Sequence, residues 1–157
     1  MQNANRCRRD PKVVAEELRE AKEHMKFCIE LYRLQLSAGR YFIHEHPEGA
    51  SSWYMHETVK LLVEPNVGVA SFDMCRFDMK ATKDGKEYPV QKSTRVASNS
   101  REVLKRLDRR CPNKGGPGER HEHAQLEGGL TKRAQIYPES FARPYARASR
   151  QRSASER

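Results

Sequence analysis

Strand-length segments alternate with helical patterns along the middle of this chain, and this alternation is the strongest constraint on its fold. Residues 40–44, 67–72 and 94–97 have the length and residue types of strands. A helical pattern at residues 52–63 separates the first two. Residues 67–72 are almost continuously apolar, as the buried strands of parallel sheets are. The alternation predicts an α/β fold with a βαβ-type parallel sheet.

The clearest helical pattern lies near the N-terminus. Asp10 is a favourable N-cap residue, Pro11 suits the first helical position, and Gly39 is a typical helix terminator. Between them, apolar residues recur at spacings of three and four and form one stripe, made of Val14, Leu18, Ala21, Met25, Cys28 and Tyr32. We therefore expect a helix of about seven turns here.

Two local signals add a hairpin and a further helix. Asp84 followed by Gly85 favours a tight β-hairpin, which we place at the edge of the sheet. Asn99 with Glu102 resembles a capping box, which would start a helix at this point.

The chain of 157 residues has the length of one domain with a small core, since only 36% of its residues are hydrophobic. We expect a flexible N-terminus at residues 1–9, a single α/β domain at residues 10–143 and a disordered basic tail at residues 144–157.

The charge favours a polyanionic partner. The chain has 30 Lys and Arg residues against 21 Asp and Glu residues, a formal net charge of +9. Such an excess is typical of proteins that bind nucleic acid. The alternative is a well-solvated surface with a basic tail, because several arginines lie near the C-terminus: Arg143, Arg147, Arg150, Arg152 and Arg157.

The sequence also limits the compartment. No run approaches the roughly 20 apolar residues of a membrane helix, and no apolar signal-peptide segment opens the chain. Its four cysteines are widely scattered, which favours free thiols. We expect no membrane association and an intracellular, reducing compartment, with the nucleus as one option.

Glu45 is the first candidate site residue. It ends a short apolar run, lies between His44 and His46, and precedes Pro47. Ligands of open α/β sheets bind beyond the carboxyl ends of strands, where a carboxylate is a candidate catalytic residue. The alternative is a salt bridge or a helix cap. His44 and His46 share one face of a strand and could bind a metal, or could hydrogen-bond neighbouring loops.

Arg95 is the second candidate. It lies among hydroxyl-bearing residues of a short strand, where its planar guanidinium could bind a phosphate or a carboxylate. Glu45 would be its natural partner if the two strands are close. A structural ion pair is the alternative.

Cysteine and histidine residues in the second half of the chain suggest a metal site. His121 and His123 follow Cys111 by about ten residues, and with Cys75 they could complete a tetrahedral zinc site. The Cys-x-x-Cys spacing of many zinc sites is absent, so the alternative is a polar loop without metal.

Several motifs in a fixed order resemble a known group of proteins. The motifs are residues 42–53 (FIHEHPEGASSW), Cys75, residues 92–100 (KSTRVASNS), Cys111 with His121 and His123, Gly128 with Gly129, and residues 136–138 (IYP). Over residues 2–143 this set resembles modules of retroelement-like polyproteins and some phage proteins. Those modules are in turn similar to degenerate DNA cytosine-5 methyltransferases. The resemblance implies a mobile-element origin and a partial Rossmann-like parallel sheet of the class I methyltransferase type.

The resemblance also implies roles for particular residues. Glu45 takes the place of the glutamate that hydrogen-bonds the target base, with His46 in place of an asparagine, and Arg95 takes the place of a later supporting arginine. The Pro-Cys nucleophile and the glycine-rich loop for S-adenosylmethionine would precede Met1, and Cys7 follows Arg6 rather than a proline. Base methylation needs a flipped base, a thiolate and a methyl donor. We therefore expect S-adenosylmethionine to bind only if a missing N-terminal half is present.

Three functional hypotheses follow. The first is a catalytically incomplete, methyltransferase-like module associated with nucleic acid, in which Glu45 and Arg95 remain from a base-binding pocket. The second is a basic, zinc-supported module that binds nucleic acid without catalysis, through a face formed by Lys92, Arg95, Arg101, Lys105, Arg106, Arg109 and Arg110. The third is a gene fragment without a function of its own.

Overall fold

The computed structural model describes residues 9–124, 136–143 and 146. Its helices are α1 (Pro11–Ser37), α2 (His56–Leu62) and α3 (Arg101–Leu107). Its strands are β1 (Ile43–Pro47), β2 (Gly68–Asp73), β3 (Lys80–Lys83), β4 (Lys86–Pro89) and β5 (Ser93–Ser98). Among these described residues, no helix is both long enough and apolar enough to cross a membrane.

Helix α1 forms where the sequence predicts it. The Asp10 carboxylate caps the helix by accepting a hydrogen bond from the Lys12 backbone N–H at 2.8 Å, and Pro11 is the first helical residue. The chain then leaves the helix through Gly39, whose φ of 66° is in the left-handed region that glycine tolerates best. The predicted start and end of this helix are confirmed.

The main sheet is antiparallel, and the predicted parallel Rossmann-like sheet is wrong. Its strand order is β1-β5-β2, and β5 pairs antiparallel with both neighbours. Strands β1 and β2 therefore run in the same direction, as the strands of a βαβ unit do. They are not paired with each other, because β5 lies between them. The three strands and the helix between β1 and β2 were predicted near their observed positions, but their pairing was not.

The predicted hairpin is confirmed, although it lies outside the main sheet. Strands β3 and β4 form a separate two-stranded sheet in which Lys83 pairs with Lys86. The turn residues Asp84 and Gly85 have φ angles of 52° and 76°. Two consecutive positive φ angles match the twist of the flanking strands, which explains the preference for Asp-Gly at this turn.

Helix α3 begins one residue later than the capping-box pattern predicts. Ser100 is its N-cap residue and accepts a hydrogen bond from the Val103 N–H. The Asn99 side chain instead accepts from the Phe42 N–H at 3.1 Å and donates to the Arg40 carbonyl oxygen at 3.0 Å. Asn99 therefore fastens the segment before β1 to the end of β5.

The sheet separates two apolar clusters. On one face, α1 and α2 contribute to a cluster made of Met25, Ile29, Phe42, Trp53, Leu61 and Ala97. On the other face, β2 and β5 pack against α3, the hairpin and the segment 136–143; this cluster includes Phe72, Phe77, Val96, Leu107 and Phe141. The Phe141 ring packs against two core rings, with its centre 5.3 Å from that of Phe72 and 5.5 Å from that of Phe77.

His44 is buried between α1 and the sheet, with 4% of its surface exposed. Its Nδ1 atom lies 3.3 Å from the Tyr32 hydroxyl, and its ring meets the Trp53 ring edge-on at 5.0 Å. Burial, and to a smaller extent the nearby His46, lowers the pKa of His44 to about 4. His44 is therefore a neutral ring of the core at neutral pH.

This burial makes folding stability depend on pH. An unfolded histidine titrates near pH 6.5. The contribution of His44 to the stability of the native state is therefore fully present above that pH. It is lost as the pH falls toward 4, because the unfolded chain binds the proton more readily. We expect the free energy of unfolding to drop by about 3 kcal/mol between pH 7 and pH 4 from this group.

Urea unfolding across this pH range, with a chelator present, measures the effect. The variant His44→Phe should show a flatter pH dependence than the unaltered chain. The control His56→Phe changes an exposed histidine at the start of α2 and should leave the pH dependence unaltered. Equal acid sensitivity of His44→Phe and the unaltered chain would contradict the assignment.

Candidate metal centre

The four residues of the predicted zinc site lie together in the structure. Their ligand atoms are all within 4.8 Å of one another, and the residues are Cys75, Cys111, His121 and His123. Cys75 is in a 3-10 turn directly after β2, and Cys111 directly precedes another 3-10 turn after α3. The group therefore joins the end of β2 to the loop that follows α3.

The distances suit one tetrahedral ion. The Cys111 Sγ atom lies 3.7 Å from His121 Nε2 and 3.5 Å from His123 Nε2. Around zinc, bond lengths of about 2.3 Å to sulfur and 2.0–2.1 Å to nitrogen place sulfur and nitrogen ligands about 3.6 Å apart. Cys111 is fully buried, whereas the other three side chains are partly exposed. Two thiols and two imidazoles at this spacing form a group that could hold a metal ion.

The pKa shifts of two of these residues indicate how their protons would respond to a bound metal ion. Burial, together with the neighbouring Cys111 thiol, raises the pKa of the Cys75 thiol to about 12. Burial lowers the pKa of His123, and the nearby His121 ring lowers it further. A bound cation would therefore displace a proton from Cys75 and would meet His123 in its neutral, ligating form.

Asn113 holds the histidines in place. Its Oδ1 atom accepts a hydrogen bond from the His121 N–H at 3.2 Å, and its Nδ2 donates to the His121 carbonyl oxygen at 2.7 Å. The same Nδ2 lies 3.4 Å from His123 Nδ1. Outer groups of this kind orient metal-ligating histidines. Sequence reasoning missed Asn113, although a side chain that bonds local backbone is common in such loops.

The loop between Cys111 and His121 depends on a glycine. Gly116 donates its N–H to the Cys111 carbonyl oxygen at 3.0 Å. A Cβ atom at Gly116 would lie 1.9 Å from the Arg110 carbonyl oxygen, which no relaxation of a side chain could relieve. The glycine-rich segment, which reads as a flexible loop in the sequence, therefore allows a close backbone approach beside the ligands.

Asp73 is the second residue that sequence reasoning missed. Its side chain is fully buried at the end of β2, two residues before Cys75. One carboxylate oxygen accepts from the Cys111 N–H at 2.9 Å, and the other accepts from the Ser93 hydroxyl at 2.5 Å. Asp73 therefore connects the sheet to the metal-ligand group. A lone aspartate after an apolar strand carries no sequence signal for that role.

Glu45 and Arg95 do not form a common pocket. In the β1–β5 register, Glu45 is opposite Val96, and His46 is opposite Arg95. Paired residues share a face and successive residues alternate, so Glu45 and Arg95 project from opposite faces of the sheet. Glu45 accepts a hydrogen bond from the Tyr137 hydroxyl at 2.7 Å. The Arg95 guanidinium instead lies 5.5 Å from the centre of the Trp53 ring, on the face that α1 covers.

The predicted basic residues are also distributed over several surfaces. Arg95 lies on the α1 side of the sheet, whereas α3 packs on the other side. Arg106 pairs with Glu102 at 2.6 Å, and Arg110 forms a two-bond pair with Glu48. The positive charges of Arg106 and Arg110 are therefore largely compensated by carboxylates of the same chain.

The remaining predicted basic residues differ in how available they are to a partner. Lys92 is half-buried, donates a hydrogen bond to the Tyr137 hydroxyl at 3.3 Å and lies 4.5 Å from the centre of the Tyr137 ring. Arg109 is exposed although its guanidinium lies 5.0 Å from the centre of the Phe77 ring. Arg101 and Lys105 are exposed one turn apart on α3. The structure therefore supports only part of the predicted basic face.

The predictions for residues 1–8, 144–145 and 147–157, and for Gly128 and Gly129, lie outside the described residues. Comparison with known proteins finds no match to this chain among family models, curated proteins or solved structures. The resemblance to methyltransferase-like modules therefore stays a prediction.

Proposed function

We propose that this chain is a zinc-supported module that binds nucleic acid through charge. The observation that carries the proposal is the convergence of two cysteines and two histidines within 4.8 Å of one another. The second hypothesis from the sequence requires this convergence. The first requires Glu45 and Arg95 to face one cleft, whereas they lie on opposite faces of the sheet.

Zinc is the metal that suits these donors best. Two thiolates and two imidazoles form one of the common ligand sets of structural zinc sites, and four protein ligands leave no open position for a substrate. The residues that would hold the ion are Cys75, Cys111, His121 and His123. An ion bound there would cross-link β2 to the loop after α3, which supports a structural role.

The distribution of charge supports nucleic acid as the partner and indicates where contacts form. The described residues carry 22 Lys and Arg residues against 19 Asp and Glu residues, whereas the other segments of the sequence carry 8 against 2. Most of the excess charge therefore lies outside the described part, in particular at Arg147, Arg150, Arg152 and Arg157. We propose that these arginines supply most phosphate contacts, with Arg101 and Lys105 of α3 adding to them.

The first experiment tests the metal. The purified chain should bind one Zn²⁺ per molecule, and Co²⁺ in its place should give the absorption of a tetrahedral site with thiolate ligands. Cys111→Ser should weaken zinc binding more than the roughly 10–100-fold that loss of an outer group costs, because it removes a direct ligand. Competition with a chromophoric chelator measures the affinity.

Cys28→Ser is the matched control, because Cys28 lies on α1, outside the metal-ligand group. This variant should keep the zinc affinity of the unaltered chain. Absence of zinc from the unaltered protein, or equal loss in both variants, would refute the proposed metal centre.

The second experiment tests the partner. Anisotropy of labelled DNA and RNA strands, measured between about 50 and 200 mM salt, should show affinity that falls steeply with salt. Replacing Arg147, Arg150, Arg152 and Arg157 with serine should reduce the slope of log affinity against log salt by up to about four, since each phosphate contact contributes roughly one.

The double variant Arg101→Ser with Lys105→Ser provides the comparison on the folded surface. It should reduce the slope by at most about two, since it removes two contacts. Binding that does not depend on salt, or no binding by the unaltered chain, would overturn the nucleic-acid proposal while leaving the metal proposal to its own test.

A further inference from the structure

Asp73 is a buried carboxylate with an unusual set of partners. None of its side-chain surface is exposed, and its two oxygens accept hydrogen bonds from the Ser93 hydroxyl and the Cys111 N–H. Both donors are neutral. A buried carboxylate is costly unless a cation compensates its charge. The position of the nearest cationic side chains therefore decides how much of the negative charge of Asp73 is compensated.

Those cations are engaged mainly by another carboxylate. The Arg110 Nη1 atom is 3.9 Å from Asp73, but Arg110 forms two hydrogen bonds with Glu48, at 2.7 and 3.1 Å. Lys114 donates to the Ser93 hydroxyl at 2.8 Å and lies 4.0 Å from Glu48. Lys114 thus reaches Asp73 only through Ser93. The two acids and two bases balance in number, and Asp73 is the acid with the weaker direct pairing.

The metal-ligand group lies beside this set of charges. Cys111 connects the two, because its N–H donates to Asp73 while its sulfur faces His121 and His123. Two thiolates would add two negative charges, and the Arg76 guanidinium, which acts on the Cys75 thiol, adds one positive charge. Because Asp73 accepts a hydrogen bond from the Cys111 backbone, its carboxylate charge acts directly on an ion bound at the Cys111 sulfur.

We infer that Asp73 is a specificity-determining positioning residue, which makes the metal centre prefer a divalent ion over a soft monovalent ion such as Cu⁺. This inference rests on the proposed metal centre. Thiolate and imidazole ligands accept Cu⁺ as well as Zn²⁺, so donor chemistry alone does not separate the two ions. The charge of Asp73 separates them, because attraction to a nearby carboxylate scales with the charge of the ion.

The variant Asp73→Asn tests the inference, because asparagine keeps the size and one acceptor oxygen but removes the charge. Zinc affinity should fall about 10–100-fold, the usual effect of losing an outer partner of a metal site. Affinity for Cu⁺ should fall only about 3–10-fold, because the attraction to the carboxylate that is lost is half as large for a monovalent ion. Anaerobic competition with chelators of each ion gives the ratio of the two affinities, which should fall about 3–10-fold.

Ser93→Ala is the matched control. It removes a hydrogen bond to the same carboxylate without changing any charge, so it should leave the ratio of zinc to Cu⁺ affinity unaltered. Glu48→Gln provides a second test if Asp73→Asn does not fold, because it removes one negative charge from the same cluster at a partly exposed position. It should lower the ratio in the same direction by a smaller factor.

The outcomes are distinguishable. If Asp73→Asn, or Glu48→Gln in its place, weakens both ions by the same factor or leaves both unaltered, Asp73 does not determine specificity and the inference fails. If the unaltered chain binds no zinc, the proposed metal centre fails first.

Discussion

The pairing of β5 with both β1 and β2 is the interaction on which the rest of this structure depends. It places Asp73 opposite Ser93 at the end of β2, and the carboxylate of Asp73 then accepts hydrogen bonds from Ser93 and from the Cys111 N–H. The loop after α3 is thereby fixed beside Cys75. The same register places Glu45 and Arg95 on opposite faces of the sheet. One strand thus assembles the metal-ligand group and separates the residues of the predicted base-binding pocket.

Local signals in the sequence predicted the elements well because each arises within a few residues. The Asp10 cap, the Asp84–Gly85 turn and the candidate metal ligands at His121 and His123 are of this kind. Strand pairing depends on contacts between distant segments, and the apolar pattern of residues 67–72 fits a strand of an antiparallel sheet that is covered on both faces as well as a strand of a parallel sheet. The helix between β1 and β2 suggested a parallel pair, and nothing local to either strand reveals that β5 inserts between them.

The residues of the site also differ in whether the sequence alone could reveal them. Cysteine and histidine are chemically distinctive, so four such residues could be assigned to one centre from their chemistry, and the structure brings them together. Asp73 and Asn113 act through hydrogen bonds to backbone atoms beside the ligands. Aspartate and asparagine are common in ordinary turns, so their role becomes visible only when the distances are known.

The loop that carries three of the four candidate ligands has little apolar contact of its own. Between residues 111 and 124, the buried side chains are those of Cys111, Pro112 and Ala124. One buried hydrogen bond to Asp73 holds the start of this segment, whereas the hydrogen bonds of Asn113 are exposed to water and contribute little net stability. A metal ion would add the strongest single restraint on this part of the chain. Its loading would therefore control the order of the loop more than that of the sheet, whose two faces are packed by apolar side chains.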